Sequence, residues 1–277
     1  MAVDEQEGSR AGGPEGARPR WWAEILLLGL GFGAFQLLWV AVSGDASVAI
    51  AHSDVLYRLE QALGLAVEPW FYGLAGELPH LEALAGYYYV GSHFAVTGGV
   101  LVWLWWRRPG SYRPLRSTLI GSSLVALVCF WAVPVAPPRL ALAGAPDTLV
   151  QRDIFGSANP DGGLLSLANP FAAMPSLHVA WAVWVALALH TTRHPLRRAG
   201  WLYPLTTTVV VLVTGNHYVL DAVGGTVLVL AVHSALGRAR AVSRRVPGTG
   251  DPAPEADPAR PPGTPGSAPP PGRPREV

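Results

Sequence analysis

The stretches APPR at residues 136–139, MPSLH at 174–178 and GNHYVLD at 215–221 each lie at the edge of a long apolar segment. Charged and strongly polar side chains are costly inside a bilayer and concentrate where a helix meets the membrane surface. The three polar clusters therefore mark ends of membrane helices, and the fold follows from the apolar segments that they bound.

The composition is that of a polytopic membrane protein. Half of the 277 residues are hydrophobic, 14% are charged, and the mean hydropathy is +0.29. A spanning helix needs about 20 mainly apolar residues. Six segments meet this requirement and predict an all-α bundle of six transmembrane helices: 21–42, 81–106, 117–135, 175–191, 200–214 and 217–237.

The remaining segments suggest how the chain is organised. Residues 19–240 form one predicted membrane domain, in which the first helix is retained as a span and is not a cleaved signal peptide. Residues 1–18 and the Pro-rich tail at 246–277 contain too few apolar residues to bury and are predicted to be disordered. Within the exterior stretch 43–80, the spacing over 55–65 suits an interfacial helix.

The basic residues predict the orientation. All twenty are Arg, and seventeen of them fall in the tails and in alternate loops, whereas only Arg58, Arg139 and Arg152 fall in the opposite loops. Basic residues favour the cytoplasmic side of short loops. We therefore expect a plasma-membrane protein with both termini in the cytoplasm and with the three polar clusters at the extracytoplasmic face.

The MPSLH cluster suits phosphate binding. Proline favours the first turn of a helix, so Pro175 would leave the N–H groups of Ser176 and Leu177 free at the positive end of that helix. Ser176 adds a hydroxyl donor, and His178 could protonate a leaving oxygen. A helix cap followed by a polar interfacial histidine explains the same residues about equally well.

His217 and Asp221 are four residues apart and share one helix face. There the carboxylate can accept a hydrogen bond from one ring nitrogen and leave the other as a neutral nucleophile. A metal-binding pair is the alternative, but no further His or Cys at ligand spacing accompanies it, so neither a metal nor a cofactor is expected.

Arg139 and a second polar pair complete the candidates. A guanidinium matches a phosphate with a fork of donors, although a single Arg at this position serves equally well as an interface anchor. Topology brings Arg139 to the face that carries the other clusters. Tyr89 and His93 lie one turn apart inside the second segment, where they form a buried hydrogen-bonded pair or else assist the site or the substrate headgroup.

The order Arg, Pro-Ser-x-His, His-x-x-x-Asp resembles the type 2 phosphatidic acid phosphatase superfamily over about residues 80–240. Pro-Ser-Leu-His and His-Tyr-x-x-Asp are similar to the branch that includes the inositol phosphorylceramide synthases. The resemblance implies that His217 forms a phosphohistidine, Asp221 orients it and His178 is the general acid. It also implies that Arg139 and Ser176 bind the phosphate.

The chain departs from the wider family at two motifs. Ala132 occupies the position of a family Lys, and Val210 and Val211 occupy the positions of a Ser-Arg pair. Fewer cations would then surround the phosphoryl oxygens, which suits a single phosphate group better than a diphosphate. Arg152, in the same exterior loop as Arg139, is a candidate to compensate.

These observations predict a metal-independent membrane lipid phosphatase or phosphotransferase. Its expected partners are a phosphorylated lipid and the bilayer, with no nucleic acid. The sequence separates neither water from an alcohol as the acceptor nor one oligomeric state from another. The alternative function is a proton-coupled transporter in which His217 and Asp221 relay protons.

Overall fold

The computed structural model describes residues 18–41, 45–158, 169–192 and 195–243. The predicted disorder at 1–18 and 246–277 lies outside these residues, apart from Arg18, whose Nη2 donates to the carbonyl of Trp106 at 2.8 Å. Within the described ranges the regular elements are helices. The segments around Val135 and Ala172 also pair through one isolated parallel β-bridge. The ten α-helices are α1 Trp21–Ala41, α2 Ala46–Leu63, α3 Glu68–Glu77, α4 Pro79–Arg107, α5 Pro109–Ala132, α6 Pro138–Ala141, α7 Thr148–Gln151, α8 Leu177–His190, α9 Leu202–Val213 and α10 Val219–Ser243.

The all-helical prediction is confirmed, and a helix occupies each of the six predicted segments, namely α1, α4, α5, α8, α9 and α10. Two of them, α5 and α10, are long and apolar enough to cross a membrane. Residues Trp21–Ala34 of α1 and the whole of α8 are shorter apolar helices. Six membrane crossings therefore remain a prediction.

Helix α8 lies at the centre of the helical bundle. It packs against α4, α5, α9 and α10, and the side chains of Ala180, Val183 and Trp184 are almost completely buried. A helix that is apolar on all sides, as α8 is, suits a position with neighbours on every face. The only polar atom of the Trp184 side chain donates to the carbonyl of Leu115 at 2.8 Å, so its burial costs no unpaired donor.

Helices α2 and α3, in the stretch predicted to be exterior, are folded onto the rest of the bundle. Helix α2 is longer than the predicted 55–65 segment, and one of its faces contacts the chain that leads from α5 to α6. Ser53 Oγ donates to the carbonyl of Ala136 at 2.6 Å, and Ala136 N donates to the carbonyl of Ala49 at 3.1 Å. Helix α2 therefore helps to place the APPR cluster.

Candidate active site

Backbone hydrogen bonds join the three polar clusters to one another. The bridge beside Val135 includes a bond from Ala173 N to the carbonyl of Val135 at 3.2 Å, which links the segments before APPR and MPSLH. Arg139 N donates to the carbonyl of Gly215 at 2.9 Å, and Ser176 N donates to the carbonyl of Asp221 at 3.0 Å. The predicted convergence of the clusters is thus present in the fold.

His217 is held through a single ring nitrogen. Its Nδ1 lies 3.0 Å from the carbonyl oxygen of Ala173 and 3.2 Å from Asp221 Oδ2. Because both neighbours are acceptors, the neutral ring carries its proton on Nδ1 and keeps a lone pair on Nε2. Asp221 Oδ2 also accepts from Tyr218 N at 2.8 Å, which fixes the carboxylate. The arrangement leaves the lone pair of Nε2 free for another contact.

Gly215 shapes the turn that presents His217 between α9 and α10. Its φ is +68°, a conformation that side chains other than glycine rarely adopt. A Cβ at this position would lie 2.3 Å from the carbonyl oxygen of Pro146. The turn therefore requires glycine, both for its backbone conformation and for its close contact with the loop that follows α6.

The Arg139 side chain is positioned by two residues that sequence reasoning did not assign. Its Nε donates to Asn216 Oδ1 at 3.1 Å, and its Nη1 donates to Asp147 Oδ2 at 3.2 Å. The side chain is 19% exposed. A guanidinium has five N–H donors, so these two bonds fix the direction of the fork and leave it donors for an anion.

Ser176 is the N-cap of α8, and here one detail of the prediction is wrong. Pro175 precedes the cap and does not enter the first turn, because the helix begins at Leu177. The N–H of Ser176 is not free, since it donates to the carbonyl of Asp221. Ser176 Oγ accepts from Val179 N at 3.4 Å. The groups left for a phosphate are the Ser176 hydroxyl proton and the first N–H groups of α8, beginning at Leu177.

His178 lies between His217 and the predicted Tyr89–His93 pair. Its ring stacks on Tyr89 with centroids 4.0 Å apart, and it lies 4.3 Å from the ring of His93 and 5.8 Å from the ring of His217. His93 Nδ1 lies 3.2 Å from the carbonyl oxygen of Tyr89, so the pair is bonded through the backbone and not through the phenol. Both rings thereby contact His178, which favours a supporting role for Tyr89 and His93.

The Arg152 side chain forms an ion pair with Glu82 and does not contact the three polar clusters through any hydrogen bond of the described residues. Its Nε and Nη2 lie 3.0 and 2.6 Å from Glu82 Oε2, and Thr148 Oγ1 donates to Glu82 Oε1 at 2.9 Å. The Glu82 residue is buried, at 3% exposure. A guanidinium engaged with a buried carboxylate is costly to release, so this contact gives no support to a compensating role for Arg152 at the phosphate.

Two buried glutamates were also missed. Glu60 in α2 and Glu68 in α3 accept hydrogen bonds from the backbone of α10 directly after His217. Their sequence separation from α10 is 160 and 151 residues, and no local pattern reports such a contact. The only signal in the sequence was that Glu60 and Glu68 stand among apolar residues in the stretch 43–80.

The described residues place two histidines, an arginine and a helix N-terminus close together, a grouping compatible with chemistry on a phosphate group. The family comparison agrees, because the model described as the PAP2 superfamily matches residues 54–235, well over half of the chain. The chain belongs to the PAP2 superfamily. Membership indicates a phosphatase-type enzyme and, together with the two apolar helices, a membrane protein. No curated protein and no solved structure matches the chain.

Proposed function

We propose that the protein is an integral membrane lipid phosphatase or phosphotransferase that forms a phosphohistidine at His217. The observation that carries the proposal is the environment of the His217 ring. The carbonyl of Ala173 and the carboxylate of Asp221 both accept from Nδ1, and the ring of His178 lies nearby, with its centroid 5.8 Å from that of His217. A neutral histidine held in this tautomer is a competent nucleophile.

The reaction has two displacements at phosphorus. In the first, His217 Nε2 attacks, the N–P bond forms, the P–O bond to the lipid breaks, and His178 gives its proton to the departing oxygen. In the second, water or an alcohol attacks the phosphorus of the phosphohistidine and gives its proton to His178. The N–P bond then breaks. Both histidines end in their starting states. Asp221 stabilises the positive charge that develops on the ring of His217.

Phosphate binding is proposed for Arg139, for the Ser176 hydroxyl and for the start of α8 at Leu177. The fork of Arg139 is aimed by Asn216 and Asp147, and the positive end of a helix favours an anion. One arginine and one helix end suit a single phosphate group. A lipid phosphomonoester or phosphodiester is therefore the proposed substrate class.

The membrane arrangement is proposed from exposed apolar side chains. Large apolar residues on the outer faces of the long helices are half or more exposed, among them Leu30 in α1, Val102 in α4, Trp131 in α5 and Val227 in α10. Exposed apolar surface of this extent needs a cover, and a bilayer around six spans provides one. The Arg distribution supports cytoplasmic termini and an extracytoplasmic site.

The transporter alternative finds no support. His217 lies two residues before α10 and Asp221 lies in its first turn, and they contact Ala173 and Ser176 at the MPSLH segment. Transport sites of this kind lie near the bilayer midplane between broken helices.

The acceptor, water or an alcohol, is decided by measuring free phosphate against phosphorylated product in the presence of polyol and lipid alcohols.

The test is phosphoenzyme trapping with purified protein and a labelled lipid phosphate. We expect wild type to retain acid-labile phosphate and His217→Ala to retain none and to lose turnover. His190→Ala is the matched control, because His190 is an exposed histidine at the far end of α8. Turnover of His217→Ala within about tenfold of wild type, near 1.4 kcal/mol in the barrier, would contradict the assignment of the nucleophile.

A further inference from the structure

Three consecutive N–H groups at the start of α10 donate to three carboxyl groups. Tyr218 N donates to Asp221 Oδ2 at 2.8 Å, Val219 N donates to Glu68 Oε1 at 3.1 Å, and Leu220 N donates to Glu60 Oε1 at 2.6 Å. Asp221 belongs to α10 itself, whereas Glu68 comes from α3 and Glu60 from α2. The turn that follows His217 is therefore fixed from two other helices.

A neutral cap would be cheaper. Ser, Thr or Asn can accept from the first N–H groups of a helix without the cost of burying an ionisable group. Here both glutamates are 0% exposed, and their carboxyl groups contact each other through a side-chain hydrogen bond. Two buried carboxyl groups at one helix end are costly to desolvate, and what they hold in place is the turn that follows His217.

The carboxyl group of Glu60 titrates in an unusual environment. Burial, with the nearby charges of Glu68 and Asp221, raises the pKa of the Glu60 carboxyl to about 8. The titratable groups that face it are Glu68 and Tyr72 from α3, and Asp221 and Tyr218 from α10. The neutral form of Glu60 is thus favoured, and it still accepts from Leu220 N through Oε1.

We infer that Glu60 and Glu68 are positioning residues for the nucleophile, holding the first turn of α10 so that Asp221 and the Ala173 carbonyl meet the same nitrogen of His217. The inference rests on the proposed function of His217. If the turn shifts, the 3.2 Å distance between His217 Nδ1 and Asp221 Oδ2 lengthens, and Nε2 is no longer held in one orientation. A misplacement of about 1 Å can cost about 100-fold in rate.

The variants separate the hydrogen-bond acceptor of each glutamate from its ability to ionise. In Glu60→Ala and Glu68→Ala we expect kcat to fall about 100-fold while KM stays within about threefold. Glu60→Gln keeps a neutral acceptor of the same length and should restore kcat to within about fivefold of wild type. Glu77→Ala is the matched control, since Glu77 is an exposed glutamate of α3. Rates are measured per folded protein, with thermal unfolding in detergent as the check.

A second measurement reads the position of the ring directly. ¹⁵N spectra of histidine-labelled protein, with the His217 signal assigned by its loss in His217→Ala, report the tautomer. We expect the Nδ1–H form in wild type and in Glu60→Gln, and a mixture of tautomers in Glu60→Ala. Where the Ala variants do not fold, Glu60→Asp withdraws the acceptor by one methylene and should show the same loss.

Two results would overturn the inference: kcat of the folded Ala or Asp variants within threefold of wild type, or a Gln variant as slow as the Ala variant. A wild type that traps no phosphate would instead refute the proposed function. In that case the ¹⁵N spectra still judge the positioning role, because an unchanged His217 tautomer in Glu60→Ala contradicts it.

Discussion

Asp221→Asn provides a graded test of how His217 is held. Oδ2 of Asp221 accepts from His217 Nδ1 at 3.2 Å and from Tyr218 N at 2.8 Å, whereas Oδ1 is buried and has no partner among the described side chains. An asparagine can keep its oxygen in the place of Oδ2 and put its amide nitrogen in the place of Oδ1. Both hydrogen bonds survive, and the charge is lost.

The expected magnitude follows from the second acceptor. The carbonyl of Ala173, 3.0 Å from Nδ1, keeps the proton on that nitrogen even without the carboxylate. The loss is then that of a charged acceptor replaced by a neutral one, about 1–2 kcal/mol, or about 5- to 30-fold in kcat. A catalytic histidine left in the wrong tautomer instead costs about 10⁴-fold.

The assay is the rate of phosphoenzyme formation in a single turnover, with Asp54→Asn on the exposed face of α2 as the control. A fall of more than about 1,000-fold, over 4 kcal/mol, would show that the Ala173 carbonyl does not hold the ring. An unchanged rate would show that Asp221 only caps the helix and does not assist His217.

Three further outcomes are expected. The free energy of unfolding should fall as pH rises between about 4.5 and about 8, because Glu60 ionises in the unfolded chain before it does in the folded protein, and Glu60→Gln should flatten this dependence in denaturant titrations. Activity should survive EDTA and be inhibited by orthovanadate, which mimics the five-coordinate phosphorus of the transition state. Loss of activity in EDTA, with recovery on adding a divalent cation, would favour the interpretation of His217 and Asp221 as a metal-binding pair. In a Cys129→Ala background, an impermeant thiol reagent on intact cells should label Asp54→Cys and not Gly110→Cys, and the reverse result would invert the topology.

The helices could be predicted because their signals are local. An apolar run of sufficient length predicts a helix wherever it packs, and the run at 217–237 became α10, Val219–Ser243, with an error of a few residues. The His217–Asp221 contact was equally local, since residues four apart share a helix face. Whether each helix crosses a membrane is a property of its surroundings and was not decided by its own sequence.

The details that the sequence missed all depend on distant partners. The N–H of Ser176 is bonded because the carbonyl of Asp221, 45 residues later in the chain, reaches it. Arg152 is occupied because Glu82 lies buried beside it. Spacing within one segment carries no information on either contact, so the sequence could name the functional groups but not which of them were already engaged.

Gly225 has a consequence for the energetics of catalysis. A Cβ at this position would lie 2.2 Å from the carbonyl oxygen of Ser176, so α10 touches the start of α8 backbone to backbone. The helix that carries Asp221 is therefore in direct backbone contact with the start of α8, where phosphate binding is proposed. If α8 binds the phosphate of a lipid as proposed, binding requires little reorganisation of these two helices, and their electrostatic field is in place before the substrate arrives. Selectivity among lipids would in that case arise from how a headgroup reaches this rigid site, and not from the site closing around it.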